Sequence, residues 1–177
     1  MLEKSNEWKL AQLFFRRPLY KYHFRELCRI LNWSPSKLQN SIKTLISQNI
    51  IKKAIEKNLT LYFANTRDES YKKYKIIYNI LKTMEISDYL EKKIEYFDAI
   101  ILFGSAVSGD DTEKSDIDIC IVGTKEKEVN LREFEEDMER KISLMFIKDI
   151  KILKSKNPEL LNNLINGIVL KGYLEVI

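Results

Sequence analysis

The sequence predicts an α+β chain of two modules joined by helices, and three observations carry that reading. Apolar spacing in the first 65 residues runs helix, helix, helix and then two short strands. Residues 66–96 contain neither Gly nor Pro and keep helical spacing. From residue 98 the pattern changes to continuous apolar runs broken by polar segments, as in buried strands alternating with helices. The expected division is 1–66, a helical connector over 67–97, and 98–177.

Charge divides the chain in the same place. Residues 1–66 hold 12 Lys+Arg against 4 Asp+Glu, and residues 67–177 hold 18 against 22. A basic module fits a polyanion, and an acidic one can hold an anion when a metal ion mediates. No apolar run approaches the roughly 18 residues of a membrane span. The opening MLEKSNEWKL lacks the apolar stretch of a secretion signal. A soluble, cytoplasmic protein is expected, with no membrane partner. Cys28 and Cys120 belong to no Cys-x-x-Cys pair, which argues against zinc. His23 is the one histidine, so a site needing two imidazoles in one chain is excluded.

In the first module, SNEWKLAQLFF (5–15) predicts a helix that Arg17-Pro18 ends. HFRELCRIL (23–31) predicts a second, with Phe24, Leu27, Cys28 and Leu31 on one face. Asn32-Trp33 forms a turn. Ser34 then caps a third helix, with Pro35 at its favoured first position. That helix buries Leu38, Ile42, Leu45 and Ile46. IIKKAIEKNLTLYFAN follows as a hairpin turning near Glu56-Lys57-Asn58. Residues 5–65 therefore resemble the winged helix-turn-helix family of DNA-binding domains. The resemblance implies that Ser36, Lys37, Asn40, Lys43, Thr44 and Ser47 of the third helix face double-stranded DNA, with Lys52, Lys53 and Lys57 on the wing. The plain alternative is a solvated helix face, or a protein-docking use of the same fold. Trp33 reads as a packing residue. Winged helices often pair, so a homodimer is expected by analogy.

Over the connector, Tyr71, Tyr74, Ile77, Tyr78 and Leu81 recur at helical spacing, and a second helix is expected from about Ser87. Such a connector would be stiff.

Residues 98–123 read DAIILFGSAVSGDDTEKSDIDICIVG. An apolar strand over 99–103 stops at Gly104-Ser105. A polar segment leads to a second strand, apolar except for Asp116 and Asp118. Residues i and i+2 of a strand share one face, so the two carboxylates point the same way. Held close, they raise each other's pKa, and a divalent cation removes the conflict. Mg²⁺ suits this, because it takes one or two carboxylates, substrate phosphates and waters. A glycine closing a strand lets backbone N–H groups approach a phosphate, and the N-terminus of a following helix would favour its charge.

Gly104-Ser105 followed by Asp116-Ile117-Asp118 resembles the nucleotidyltransferase superfamily of DNA polymerase beta, and most of all its small prokaryotic members. The ending PELLNNLINGIVLKGYLEVI, with Gly167 and Gly172, is similar too. The resemblance covers about 86–177 and implies a mixed sheet flanked by helices. It implies Asp116 and Asp118 as catalytic metal ligands for Mg²⁺, Gly104 and Ser105 as triphosphate-binding residues, and an NTP as substrate. It also implies a hydroxyl acceptor, and one on a partner protein, as in antitoxin-like members, is among those it suggests.

Two departures stand out. The family pattern places a third carboxylate on a later strand, at Ser143 of KISLMFI, and no acid is there. Glu136, Asp137 and Glu139 precede it on an apparent helix, and Glu139 substitutes only if the strand begins earlier. Where the small enzymes carry Ala-Arg-Gly, this chain has Val107-Ser108-Gly109. Two readings remain open: a transferase fused to a DNA-binding domain, or a DNA-binding regulator whose nucleotidyltransferase domain is inactive.

Overall fold

The computed structural model describes residues 4–175, so Val176 and Ile177 of the similar ending lie outside the described residues. The chain is a mixed α+β structure that divides into two compact units, 1–78 and 79–177.

The first unit opens with α1 (Asn6–Arg16). Ser5 caps it by accepting the Trp8 backbone N–H at 3.0 Å. The short strand β1 (Tyr22–His23) leads into α2 (Phe24–Leu31), where the His23 N–H is donated to the Glu26 carboxylate at 3.1 Å. α2 ends at Asn32, whose left-handed φ of 52° turns the chain. α3 (Pro35–Ser47) begins as expected, with Ser34 accepting from the Lys37 N–H. β2 (Ile51–Glu56) and β3 (Leu59–Ala64) form the hairpin. Lys57 and Asn58 both have positive φ, the two-residue turn whose twist suits paired strands. The sheet order is β1-β3-β2, all antiparallel.

Leu10, Phe14, Phe15, Leu27 and Leu38 are fully buried in this unit. Tyr71 joins them from α4 (Glu69–Lys93), donating its hydroxyl to the Phe14 carbonyl at 3.2 Å. The Phe15 ring lies 5.5 Å from that of Tyr71 and 5.6 Å from that of Tyr78. The connector thus differs from expectation. It is one helix through Ser87, and its residues up to Tyr78 belong to the first unit. The buried set differs as well. Ile77 is exposed, while Lys75, Asn79, Thr83 and Ser87, one every fourth residue, are buried.

The second unit is built on a four-stranded mixed sheet of order β6-β5-β4-β7, with β4 (Ala99–Phe103), β5 (Ile117–Val122), β6 (Ile142–Ile147) and β7 (Ile168–Gly172). β4 pairs antiparallel with β5 and β7. β5 and β6 are parallel, joined by a crossover that contains α5 (Arg132–Met138). Both faces are covered. Ile86 and Leu90 of α4, with Ile94 just after it, pack with Ile100, Leu102, Ile119 and Ile121 on one face. Ala99, Ile101, Cys120 and Val122 pack with Ile150 and with Leu161 and Leu164 of α7 (Pro158–Ile165) on the other, after the four-residue α6 (Leu153–Lys156). Gly172 is needed for the last pairing, because a Cβ there would fall 2.1 Å from the Asp98 carbonyl oxygen.

Candidate nucleotide site

β4 ends at Phe103, directly opposite Asp118 in β5. The chain then makes a four-residue 3₁₀ turn, Gly104–Val107, and this corrects the expectation of a helix N-terminus behind Gly104-Ser105. A turn that short has no macrodipole to offer. β5 starts one residue later than expected, so Asp116 stands at its threshold and Asp118 is its second residue.

Asp118 shares a sheet face with Cys120 and Val122, as strand alternation requires. It is half-buried, whereas Asp116 is exposed. Burial, reinforced by the charge of Asp116, raises the Asp118 carboxyl above its ordinary range, and Arg140 partly offsets that. Gly104 adopts φ +72°, and a Cβ at this position would lie 2.5 Å from Asp118 Oδ2. The glycine therefore makes room for the carboxylate. Ser105 directly follows it. The Ser105 carbonyl accepts from Asp110 N–H (3.3 Å) and from the Ser108 hydroxyl (3.1 Å), which closes the turn. Ser108, at the position of the family arginine, serves the loop itself.

The parallel register sets Ser143 beside Asp118. Met145 and Ile147 pack on the same face as Cys120 and Val122, so Ser143 and Asp118 share it. The residue at the third-carboxylate position is thus an exposed serine. β6 begins at Ile142, and Glu139 is the left-handed residue that ends α5, off the strand. Asp137 pairs with Lys82 at 2.8 Å and Glu136 with Arg132 at 2.8 Å, both on the helix surface.

Three residues that the sequence reading did not single out stand behind this site: Asn79, Asp111 and Arg140. Asp111 and Arg140 form a buried ion pair, Nη1 to Oδ2 at 2.5 Å, with side chains 0% and 4% exposed. Removing one partner of such a pair leaves an uncompensated charge and typically costs about 3–5 kcal/mol. The available signal was weak: a polar residue at a core position of α4, and charges that find partners only through the fold.

The family model "Polymerase beta, Nucleotidyltransferase" matches residues 84–173, spanning α4 from its middle through β7. The chain belongs to this family. The polymerase beta nucleotidyltransferase family transfers nucleotidyl groups, and its members generally use a divalent metal such as Mg²⁺ and take an NTP. No curated protein matches the chain. Among the described residues no group of three or more His, Cys, Asp or Glu converges. Two carboxylates with conflicting charges, beside a glycine turn, are a donor set that fits a cation keeping waters and phosphate oxygens as its other ligands. They do not fit an all-protein cage. Cys120 plays no part here: burial pushes its thiol up to about 12.

In the first unit, Ser36, Lys37, Asn40, Lys43 and Ser47 are exposed on α3. Thr44 is half-buried, and its hydroxyl is donated to the Asn40 carbonyl at 3.3 Å. Lys37 Nζ lies 4.5 Å from the Trp33 ring centroid, so Trp33 steadies a cation at the start of α3. Lys52, Lys53 and Lys57 are exposed on the hairpin. No helix among the described residues is long and apolar enough to cross a membrane.

Proposed function

We propose that the second unit binds an NTP with Mg²⁺ and transfers its nucleoside monophosphate to a hydroxyl, and that the first unit is a winged helix that binds duplex DNA. The observation that carries the first part is the meeting of Gly104 and Asp118, which puts the glycine turn and the Asp116/Asp118 pair in one place. In this reading Asp116 and Asp118 hold the metal, which neutralises charge on the triphosphate. Gly104 and Ser105 hold the triphosphate through backbone N–H groups and the serine hydroxyl. The acceptor oxygen attacks the α-phosphorus, the bond to the β-phosphate bridge breaks, and pyrophosphate leaves.

The acceptor's proton must go to a base, and this is where the chain departs from its family. With Ser143 beside Asp118, nothing on β6 takes that proton. This favours a second reading, in which the chain is a DNA-binding regulator that binds nucleotide and transfers slowly or not at all. Support for the DNA-binding part is the helix–strand–helix–helix–hairpin order, the net +8 of residues 1–66, and the exposed lysines of α3 and the hairpin. A hydroxyl on a partner protein is one candidate acceptor, and a homodimer would match a two-fold DNA site.

One experiment separates the two readings: the full chain incubated with each labelled NTP, Mg²⁺ and candidate protein or nucleic-acid acceptors. Label that moves to an acceptor, and is lost in Asp116→Asn/Asp118→Asn, supports transfer. Metal-dependent binding without transfer supports the regulator. The absence of both binding and transfer rejects both readings.

A further inference from the structure

Behind the two carboxylates runs a buried polar chain with no assigned role. Arg140 sits where α5 gives way to β6, and its guanidinium makes three bonds: Nη1 to Asp111 Oδ2 (2.5 Å), Nε to the Ser115 carbonyl (2.8 Å) and Nη2 to the Asp116 carbonyl (3.1 Å). The other oxygen of Asp111 accepts from Asn79 Nδ2 at 2.8 Å, and the same nitrogen donates to the Ala106 carbonyl at 2.8 Å. Asn79 is fully buried, and its Oδ1 has no partner. The orientation has a clear cause: turning the amide over would set oxygen against two acceptors. One acceptor is left unsatisfied so that two others are held.

The chain ends on two places that matter. Ala106 belongs to the Gly104–Val107 turn, and the Asp116 carbonyl is the threshold of β5. The segment between them, 108–116, is neither helix nor strand, so its backbone is held by two turn bonds, Asp110 N–H to the Ser105 carbonyl and Ser115 N–H to the Thr112 carbonyl, and by side chains. A guanidinium is suited to this because its donors lie in one rigid plane.

We propose that Arg140 is a positioning residue: it holds the Asp116 carbonyl directly and the Gly104–Val107 turn through Asp111 and Asn79, so that the Asp116 and Asp118 carboxylates meet one divalent cation. The proposal rests on the metal reading above. Groups behind metal ligands typically govern affinity by about 10–100-fold.

The test uses the full chain and two variants. Asp111→Leu/Arg140→Met removes both charges, leaving no buried ion unpaired while deleting the carbonyl contacts. Arg140→Lys keeps a charge opposite Asp111 but loses the fork, and it serves where the double variant fails to fold. Mg²⁺ is titrated by calorimetry with saturating NTP, and amide exchange is followed over 105–118 without metal. The expected result is a half-saturating Mg²⁺ concentration raised about 10–100-fold. Faster exchange confined to that segment, with thermal unfolding still cooperative, should accompany it. A folded variant with wild-type Mg²⁺ dependence and wild-type exchange overturns the positioning role. Asp118→Asn distinguishes the two levels. If it leaves Mg²⁺–NTP binding unchanged, the metal reading itself falls, and this proposal with it. If it abolishes binding while the folded Arg140 variants keep the wild-type Mg²⁺ dependence and exchange, only the positioning role falls.

Discussion

Ser143 stands beside Asp118 in the parallel pairing of β5 and β6, on the same face of the sheet. An acid at that point is the part of the three-carboxylate arrangement that this chain lacks. General-base assistance typically contributes about 10²–10⁴-fold in rate. Ser143→Asp should therefore raise nucleotidyl transfer, measured as label moved per unit time, toward that range. The idea fails if wild-type transfer is robust, is not improved by Ser143→Asp, and is abolished by Glu139→Gln.

Gly104→Ala should destabilise the protein for two separable reasons. A left-handed backbone costs a non-glycine residue about 1–2 kcal/mol. The new Cβ would also meet Asp118 Oδ2 at 2.5 Å. In an Asp118→Ala background only the first cost remains. Urea or thermal unfolding of the four proteins of this cycle should give a smaller penalty for Gly104→Ala when Asp118 is absent. Equal penalties would mean that the turn relaxes away from the carboxylate.

The raised Asp118 carboxyl sets a pH dependence in metal-free protein. The folded state holds its proton to higher pH than the unfolded chain does. Stability is therefore lost as pH rises from the ordinary carboxylate value through the raised one, and the loss is complete above it. Asp118→Asn should melt higher than wild type at neutral pH without divalent metal. The gap should close as pH falls below the carboxylate range. Mg²⁺ should stabilise wild type and leave the variant unmoved. A variant that melts lower than wild type at neutral pH contradicts the sign.

DNA binding by the full chain should weaken steeply with salt. Lys37→Ala and Lys43→Ala should each weaken it, and each should reduce the salt slope by about one. Trp33→Ala should act in the same direction as Lys37→Ala, because the ring holds that ammonium. Retardation assays over a salt series check this. No retardation of any duplex at low salt removes the DNA-binding reading.

What was readable in the sequence is what local chemistry decides. Ser34-Pro35 start α3, Lys57-Asn58 turn the hairpin, and Gly104 stops β4, each through neighbours a few residues away. The acidic pair stood out by its spacing at the head of an apolar run, although β5 begins at Ile117 and takes in only Asp118. The rest depends on contacts distant in the chain. β1 has two residues, too few for a period. Lys75, Asn79, Thr83 and Ser87 are polar types that read as solvent-facing, yet they are buried. Arg140 and Asp111 are 29 positions apart, and nothing near either residue announces the other.

The sheet order also has a consequence in time. β4 is the inner strand whose outer neighbour is β7, and β4 ends at residue 103 while β7 is complete only at residue 172. At roughly 5–20 residues per second, a ribosome needs about 3–14 seconds to cover that distance. During that interval one edge of the most buried strand has no partner. The hairpin of the first unit, by contrast, closes by residue 64. Nascent chains stalled before residue 168 should thus hold a folded first unit beside an open, aggregation-prone edge, the state that a chaperone at the exit tunnel would meet.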